Sequence, residues 1–386
     1  MKIVNWQPLF TDHQLFTWRA LQALLAEPIT HVVGTAASET RAKQGWKGAD
    51  LSDLDVVYLE GKDWWQRGVA IIRTNPEAVH VFCGYWAERR YFPLIVFALW
   101  HKSKVVIIQE SYSSASVGYL VEGRWLINAI KARFRPLLYR AATALLMAVS
   151  RGEKPALLAI SPCAVEQFKR AGLRDAQVFS FGYFVPSILV VKPPHRPAGH
   201  EIRVIFVGSL LPTKGLDVAI AAVTRCQQQG LPVTLDVYGV GDAEKYITSE
   251  TCGTSYRGVI PFGQAQAAIA QYDVLILPSR HDGWGVVVNE ALLQGVPVIA
   301  SENVGARCLV EANGVGAVFR NEDVPGLQQI LQQLSADPNV LKAWRNNAAM
   351  VRGLIEPEVA AQYMYDVLKF YFYQTGERPK LLCCDH

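Results

Sequence analysis

At 386 residues, 51% of them hydrophobic and 19% charged, the chain reads as an ordinary globular protein, too long for one core and expected to form two domains of about 150 to 200 residues each. Its seven cysteines are odd in number and lack metal-like spacing, which speaks against a metal cluster and a secreted disulfide framework. The longest apolar runs, such as YFPLIVFALW, stop at about ten residues and MKIVNWQPLF carries no long apolar segment, so neither a signal peptide nor a spanning helix is expected and the cytoplasm is the simplest compartment.

Along the first half, KIVNW, THVVG, DVVYL, AVHVF, VVIIQ and LLAIS read as short apolar strands, with helical patterns such as HQLFTWRALQALLA between several of them. This alternation predicts a parallel sheet covered on both faces. The net charge of +4 is uneven: residues 1–185 carry 22 Lys and Arg against 15 Asp and Glu, and residues 186–386 carry 16 against 19. Arg124 to Arg151 holds six basic residues and no acid among aromatic and aliphatic ones. That pattern favours an anionic surface, such as a membrane through residues 124–140, or an anionic substrate, or else a surface helix whose apolar stripe is core and whose arginines are solvated. Pro136 is expected to divide this segment into two helices or to open the second. No nucleic-acid partner is expected.

VVKPPHRPAGHE concentrates proline and charge without periodicity and is the linker candidate. The expected division is therefore 1–188, a linker at 189–201, a second domain at 202–360, and a C-terminal helix and tail at 361–386. After the linker the alternation restarts: RVIFVG, VTLDVYG, DVLILPS and VPVIAS as strands, with LDVAIAAVTRCQQQ, QAQAAIAQY and VVVNEALLQG as helices. Two doubly wound α/β domains would leave a cleft between their sheet ends, where such folds bind ligands.

Two stretches converge on that cleft. In VIFVGSLLPTKGLD, a strand, Gly208, a short loop with Lys214-Gly215 and a helix form an arrangement suited to phosphate, although GxGxxG and P-loop spacings are absent. In RHDGWGVVVNEALLQG, Gly283 and Gly285 let backbone approach a ligand, and helix N-terminal amides are donors for an anion. Asp282 sits on that loop and Glu290 within the first two helical turns, where a carboxylate can accept hydrogen bonds from a ribose diol. Helix-dipole stabilisation for Glu290 and a turn or capping role for Asp282 are the plainer alternatives.

Together these stretches resemble a retaining glycosyltransferase of family four with the GT-B fold. That family has a glycine strand-loop with a Lys-Gly pair and, further on, an acid, seven residues and a glutamate. HDGWG stands where the family usually reads glutamate-glycine-phenylalanine-glycine, and Ser209 stands where it typically has arginine. The resemblance implies two Rossmann-like domains across a cleft, with the C-terminal aromatic helix crossing back to the first domain. It implies a nucleoside-diphosphate sugar as donor, with no metal or cofactor. Glu290 would bind the ribose, Gly208, Ser209 and Lys214 the diphosphate, and Asp282 with Gly283, Trp284, Gly285 and Val286 the transferred sugar. Arg257 and Val259 would contact the base. Lys214 and the helix amides would stabilise the departing diphosphate, with Asp282 positioning the sugar.

On the acceptor side, loops at strand C-termini offer His13, Tyr85, Glu110 and Tyr112, each of which also has a structural explanation: His13 as a helix cap, Glu110 as a partner of Arg89 or Arg90. Asp53-Leu54-Asp55 is expected at a strand edge rather than at a metal. The leading expectation is sugar transfer to a lipid-linked or glycan acceptor in surface polysaccharide assembly, at the inner face of the cell membrane. A sugar-nucleotide epimerase or phosphorylase on the same fold is the alternative, and a non-catalytic binding homologue the third.

Overall fold

The computed structural model describes residues 1–35, 50–113, 125–188, 190, 201–248, 251–261 and 263–381. Two parallel sheets organise them. The first has the order β3-β2-β1-β4-β5-β6-β7, built from β1 (Ile3–Gln7), β2 (Thr30–Val33), β3 (Asp55–Tyr58), β4 (Val79–Cys83), β5 (Lys104–Glu110), β6 (Ala156–Ile160) and β7 (Val178–Phe181). The second has the order β10-β9-β8-β11-β12-β13, from β8 (Ile202–Val207), β9 (Val233–Tyr238), β10 (Thr254–Gly258), β11 (Val274–Leu277), β12 (Val298–Ser301) and β13 (Gly316–Phe319). Central strands such as β1, β4, β6 and β11 are buried along their whole length. That is why β6 and β11 read as unbroken apolar runs, while β1 and β4 bury Asn5, Gln7 and His80 among apolar neighbours: helices cover both faces of a parallel sheet. β7, β10 and β13 are not among the strands expected from the sequence.

Each sheet reverses its strand order once, at β1/β4 and at β8/β11. Such switch points open crevices beyond the strand C-termini. The linker expected at 189–201 lies outside the described residues except for Val190 and Glu201. The crossing helix spans Pro357–Tyr373, so the expected limit at 360/361 falls inside it. It packs on the first-domain helix Asp12–Ala23. The Tyr363 ring stacks on Phe181 in β7, Tyr371 Oη donates to Lys154 O at 3.1 Å, and Arg378 donates to Val178 O at 2.7 Å.

Pro136 corrects an expectation. One helix of 25 residues, Trp125–Val149, runs through it. An interior proline removes a backbone hydrogen bond and crowds the preceding turn at a cost of about 3 kcal/mol. The buried stripe offsets this: Ala132, Tyr139, Ala142 and Leu146 are core residues, and the Tyr139 ring stacks on Tyr112 at 4.6 Å and meets Phe168 edge-on. Cys83, Cys163, Cys226 and Cys252 are free thiols, whereas Cys308 is disulfide-bonded, which the cysteine spacing did not signal.

Candidate active site

A cavity of about 560 Å³ lies between the two sheets and takes walls from both. The second domain supplies its polar floor from the β8/β11 switch point. After β8, Gly208 and Ser209 turn the chain into a short 3-10 segment, Pro212–Lys214, and the helix Leu216–Gln228 begins at Gly215. Gly215 has φ +64°, and a Cβ there would lie 2.0 Å from Pro278 O; only glycine lets this loop pass so close to the end of β11.

Beyond β11 the loop carrying Asp282 is fixed from several sides. Arg280 bonds Asp217 at 2.7 Å and Glu322 at 2.7 Å, tying the start of the loop to the Lys214 helix. Asp282 N donates to Asn303 O at 3.1 Å, and its carbonyl accepts from Gly305 N at 3.0 Å. Gly285, at φ +91°, caps the helix Val286–Leu293. Trp284 is buried, with its indole N–H donating to Asn289 Oδ1 at 2.8 Å. The result is a loop whose geometry is set before any ligand arrives.

Lys214 Nζ donates to Asp282 Oδ2 at 2.6 Å, with both side chains largely buried. The two residues face one another, so a ligand oxygen at Lys214 competes with the Asp282 carboxylate. Glu290, on the second turn of the helix, lines the same cavity. Burial raises its pKa to about 7. Hydrogen bonds donated to its carboxylate would favour the ionised form.

The first domain closes the cavity. Tyr183 follows β7, and its hydroxyl donates to Glu110 Oε1 at 2.9 Å. Burial, and then the Glu110 charge, raise the Tyr183 pKa well above its usual value, so it stays a donor. Glu110 Oε2 reaches the second domain: a Cβ on Gly283 would lie 2.4 Å from it. His13 lines the cavity, sits 3.2 Å from Thr11 Oγ1 and meets the Tyr183 ring edge-on at 5.0 Å. It does not cap its helix; Thr11 holds the N-cap position. Arg90 pairs with Glu88 at 2.9 Å rather than with Glu110.

Of the residues singled out in the sequence, His13, Glu110, Gly208, Ser209, Lys214, Asp282, Trp284, Gly285, Val286 and Glu290 line this cavity, and Gly283 adjoins it through Glu110. Four lie elsewhere. Tyr85 is buried in the first-domain core, its hydroxyl 3.2 Å from Thr143, and Tyr112 packs on Tyr139; both rings are drawn into an aromatic cluster under the helix Trp125–Val149 instead of facing an acceptor. Arg257 bonds Asp236 at 2.9 Å beside a separate depression, and the Val259 side chain is 55% exposed. Asp53 pairs with Arg19 at 2.6 Å and Asp55 accepts from Thr30, so the DxD pair is used at a strand edge. Tyr183 and Gln266 also line the cavity without a signal in the sequence; Tyr183 follows β7, as does Gly182, which packs against Trp284. Gln14 also lines the wall, one helical position beyond His13. Burial lowers the His281 pKa, Asp282 opposes this, and the Lys214 and Arg135 charges add to it.

The fold and site define a two-domain α/β protein with a polar-floored cleft between doubly wound sheets. Residues 191–351 match the family described as glycosyl transferases group 1. Two curated relatives show the same limits. The amylovoran biosynthesis glycosyltransferase AmsK of Erwinia amylovora is 31% identical over 154 residues, 36% of this chain and 38% of that protein. A glycogen synthase of Mycobacterium tuberculosis is 27% identical over 150 residues, 37% of this chain and 36% of its own. The match therefore spans little more than a third of these relatives. Solved structures extend the likeness of fold to nearly the whole chain. Anabaena Alr3699/HepE in complex with UDP and glucose has a TM-score of 0.65 at 14% identity, covering 95% of this chain and 99% of that one. WaaG, a glycosyltransferase involved in lipopolysaccharide biosynthesis, has a TM-score of 0.62 at 14% identity, covering 95% and 99%. The chain has the GT-B fold.

Proposed function

We propose that the protein is a retaining glycosyltransferase that moves a sugar from a nucleoside-diphosphate sugar to a lipid-linked or glycan acceptor in cell-surface polysaccharide assembly. The observation that carries this reading is the convergence of Lys214, Asp282 and Glu290, on loops and a helix start after β8 and β11, in one interdomain cavity. Glu290 grips the ribose, Gly208, Ser209 and Lys214 hold the diphosphate, and Asp282 with the Gly283 to Gly285 backbone holds the transferred sugar. As the glycosidic bond breaks, negative charge grows on the diphosphate. Lys214 and the helix N-terminal amides meet it in a site that excludes much water, so their stabilisation is greatest in the transition state.

Acceptor access is from the first-domain wall, where His13 and the Glu110–Tyr183 pair face the cavity. The neighbour captured with UDP and glucose and relatives from polysaccharide synthesis make UDP-sugars the first donors to test. Among the described residues no helix is long and apolar enough to cross a membrane, and the expected position is peripheral, on the inner face of the cell membrane. The test is a thermal-shift panel of nucleoside diphosphates and sugar nucleotides: a true donor at about 100 times its dissociation constant stabilises by roughly 2.7 kcal/mol. No shift with any of them would end the reading.

A further inference from the structure

The helix Trp125–Val149 is apolar on two opposite sides. At about 3.6 residues per turn, Ala132, Tyr139, Ala142 and Leu146 fall on one side and are buried. Ile130, Phe134, Leu137, Leu138 and Leu145 fall on the other and face solvent, with Phe134 60%, Leu137 58% and Leu138 52% exposed. These five are a third of the fifteen large apolar side chains exposed among the described residues, so this one helix carries a concentrated patch rather than the scattered apolar residues normal on a surface. Charge borders the patch on both sides. Arg133 and Arg140 lie along one edge and Lys131 along the other, all exposed, and the helix contains no acidic residue.

An apolar ridge between two cationic edges matches the boundary of an anionic bilayer, where aliphatic and aromatic side chains enter the acyl region and lysine and arginine extend to the phosphates. A second copy docked through the same face would bring these cationic edges against one another, whereas a bilayer supplies anionic headgroups on both sides of the ridge at once. We propose that this outer face docks the protein on an anionic membrane surface, with Phe134, Leu137 and Leu138 inserted and Lys131, Arg133 and Arg140 on the headgroups. Arg135, on the inward side of the same helix, donates to Ser113 O at 2.9 Å, just beyond the strand that carries Glu110, so the helix packs beside the first-domain wall of the cleft. Docking depends on this helix alone; the consequence that a lipid-linked acceptor is presented at the cavity rests on the transferase reading.

The test is co-sedimentation of the full chain with phosphatidylcholine vesicles, with and without about a third phosphatidylglycerol. The expected result is binding to the anionic vesicles that salt reverses, a loss of at least about tenfold in partition for Phe134→Asp/Leu138→Asp, and a shallower salt dependence for Arg133→Gln/Arg140→Gln. All four side chains are exposed, so melting temperatures and the UDP-induced shift should match those of the unsubstituted chain. No binding to anionic vesicles, or undiminished binding of the double aspartate variant, overturns the proposal. So does concentration-dependent dimerisation in analytical ultracentrifugation that the aspartates abolish, which would make the face an interface between copies. A UDP shift without vesicle binding sinks the docking and leaves the donor reading; vesicle binding without any nucleotide shift does the reverse.

Discussion

Lys214 Nζ and Asp282 Oδ2 are 2.6 Å apart, although 68 residues separate them in the chain. Each lies in the loop after one of two adjacent central strands, β8 and β11, and the pair ties the proposed diphosphate loop to the proposed sugar loop. Lys214→Ala should weaken nucleoside diphosphate binding by roughly 1.5 to 3 kcal/mol, as expected for one lost charge-assisted contact, while leaving nucleoside binding nearly unchanged. Titration calorimetry with both ligands decides it, and an unaltered diphosphate affinity would put the phosphates in another loop.

Asp282→Asn should behave differently. Losing the carboxylate releases Lys214, so nucleoside diphosphate affinity should hold or rise while turnover falls, because the sugar is no longer positioned. A paired measurement of UDP affinity and transfer rate separates these effects. Loss of UDP binding in Asp282→Asn would reverse the roles assigned to the two acids.

Glu290 adds a pH signature. Burial raises its pKa to about 7 from an ordinary 4.5, so the folded protein binds more protons than the unfolded chain between those values, and stability falls as pH rises through that window. A shift of about 2.5 units corresponds to up to about 3 kcal/mol, so Glu290→Gln should melt higher than the native chain at pH 8. Because the ribose hydroxyls donate to the ionised form, UDP binding should strengthen from pH 6 to 8 with proton release. Glu290→Gln should bind UDP more weakly and without that pH dependence. A pH-independent affinity in the native chain would remove Glu290 from the ribose.

The domains meet where Trp284 lies against Gly182, and a Cβ at Gly182 would be 2.4 Å from the indole ring. Gly182→Ala should cost about 1 to 3 kcal/mol of stability through overpacking and lower turnover more than UDP affinity, since the floor of the donor site belongs to one domain. Thermal melts with steady-state kinetics test this; an unchanged kcat would show that the contact is incidental.

Two buried histidines predict acid sensitivity. Burial lowers His31 and His80 to about 4, and His80 Nδ1 accepts from the Trp6 indole. Their stabilisation is complete above the unfolded value of about 6.5 and is lost as pH falls towards 4, by about 3 kcal/mol for each. Urea unfolding between pH 7 and 4.5 should show the loss, and a flat profile would contradict the burial of both rings.

Local chemistry was legible in the sequence. Strands buried on both faces are mostly apolar, so β1, β4, β5, β8, β11 and β12 announced themselves despite Asn5, Gln7 and His80, and with them the two-domain α/β plan. The loops that follow β8 and β11 stood out through Gly208, Lys214 and Asp282, because glycine permits close backbone approach and charged residues beyond a buried strand mark a polar crevice, and with Glu290 they line one cavity. The GT-B arrangement came from the joint pattern of those two loops, which is a resemblance of spacing rather than a calculation from burial.

What only the tertiary structure decided are contacts between elements far apart in sequence: Lys214 with Asp282, Tyr183 with Glu110, and Trp284 with Gly182. Each depends on strand order and on the meeting of two domains, and a one-dimensional pattern carries neither. Tyr85 and Tyr112 show the same limit, since an aromatic at a strand end enters the core or faces the cleft according to which helix covers it. The long helix is the clearest case. Its sequence shows apolar and basic residues all around, and only the packing of Tyr139 and Leu146 against the first-domain core determines which side remains for solvent, and that Pro136 bends no break into it.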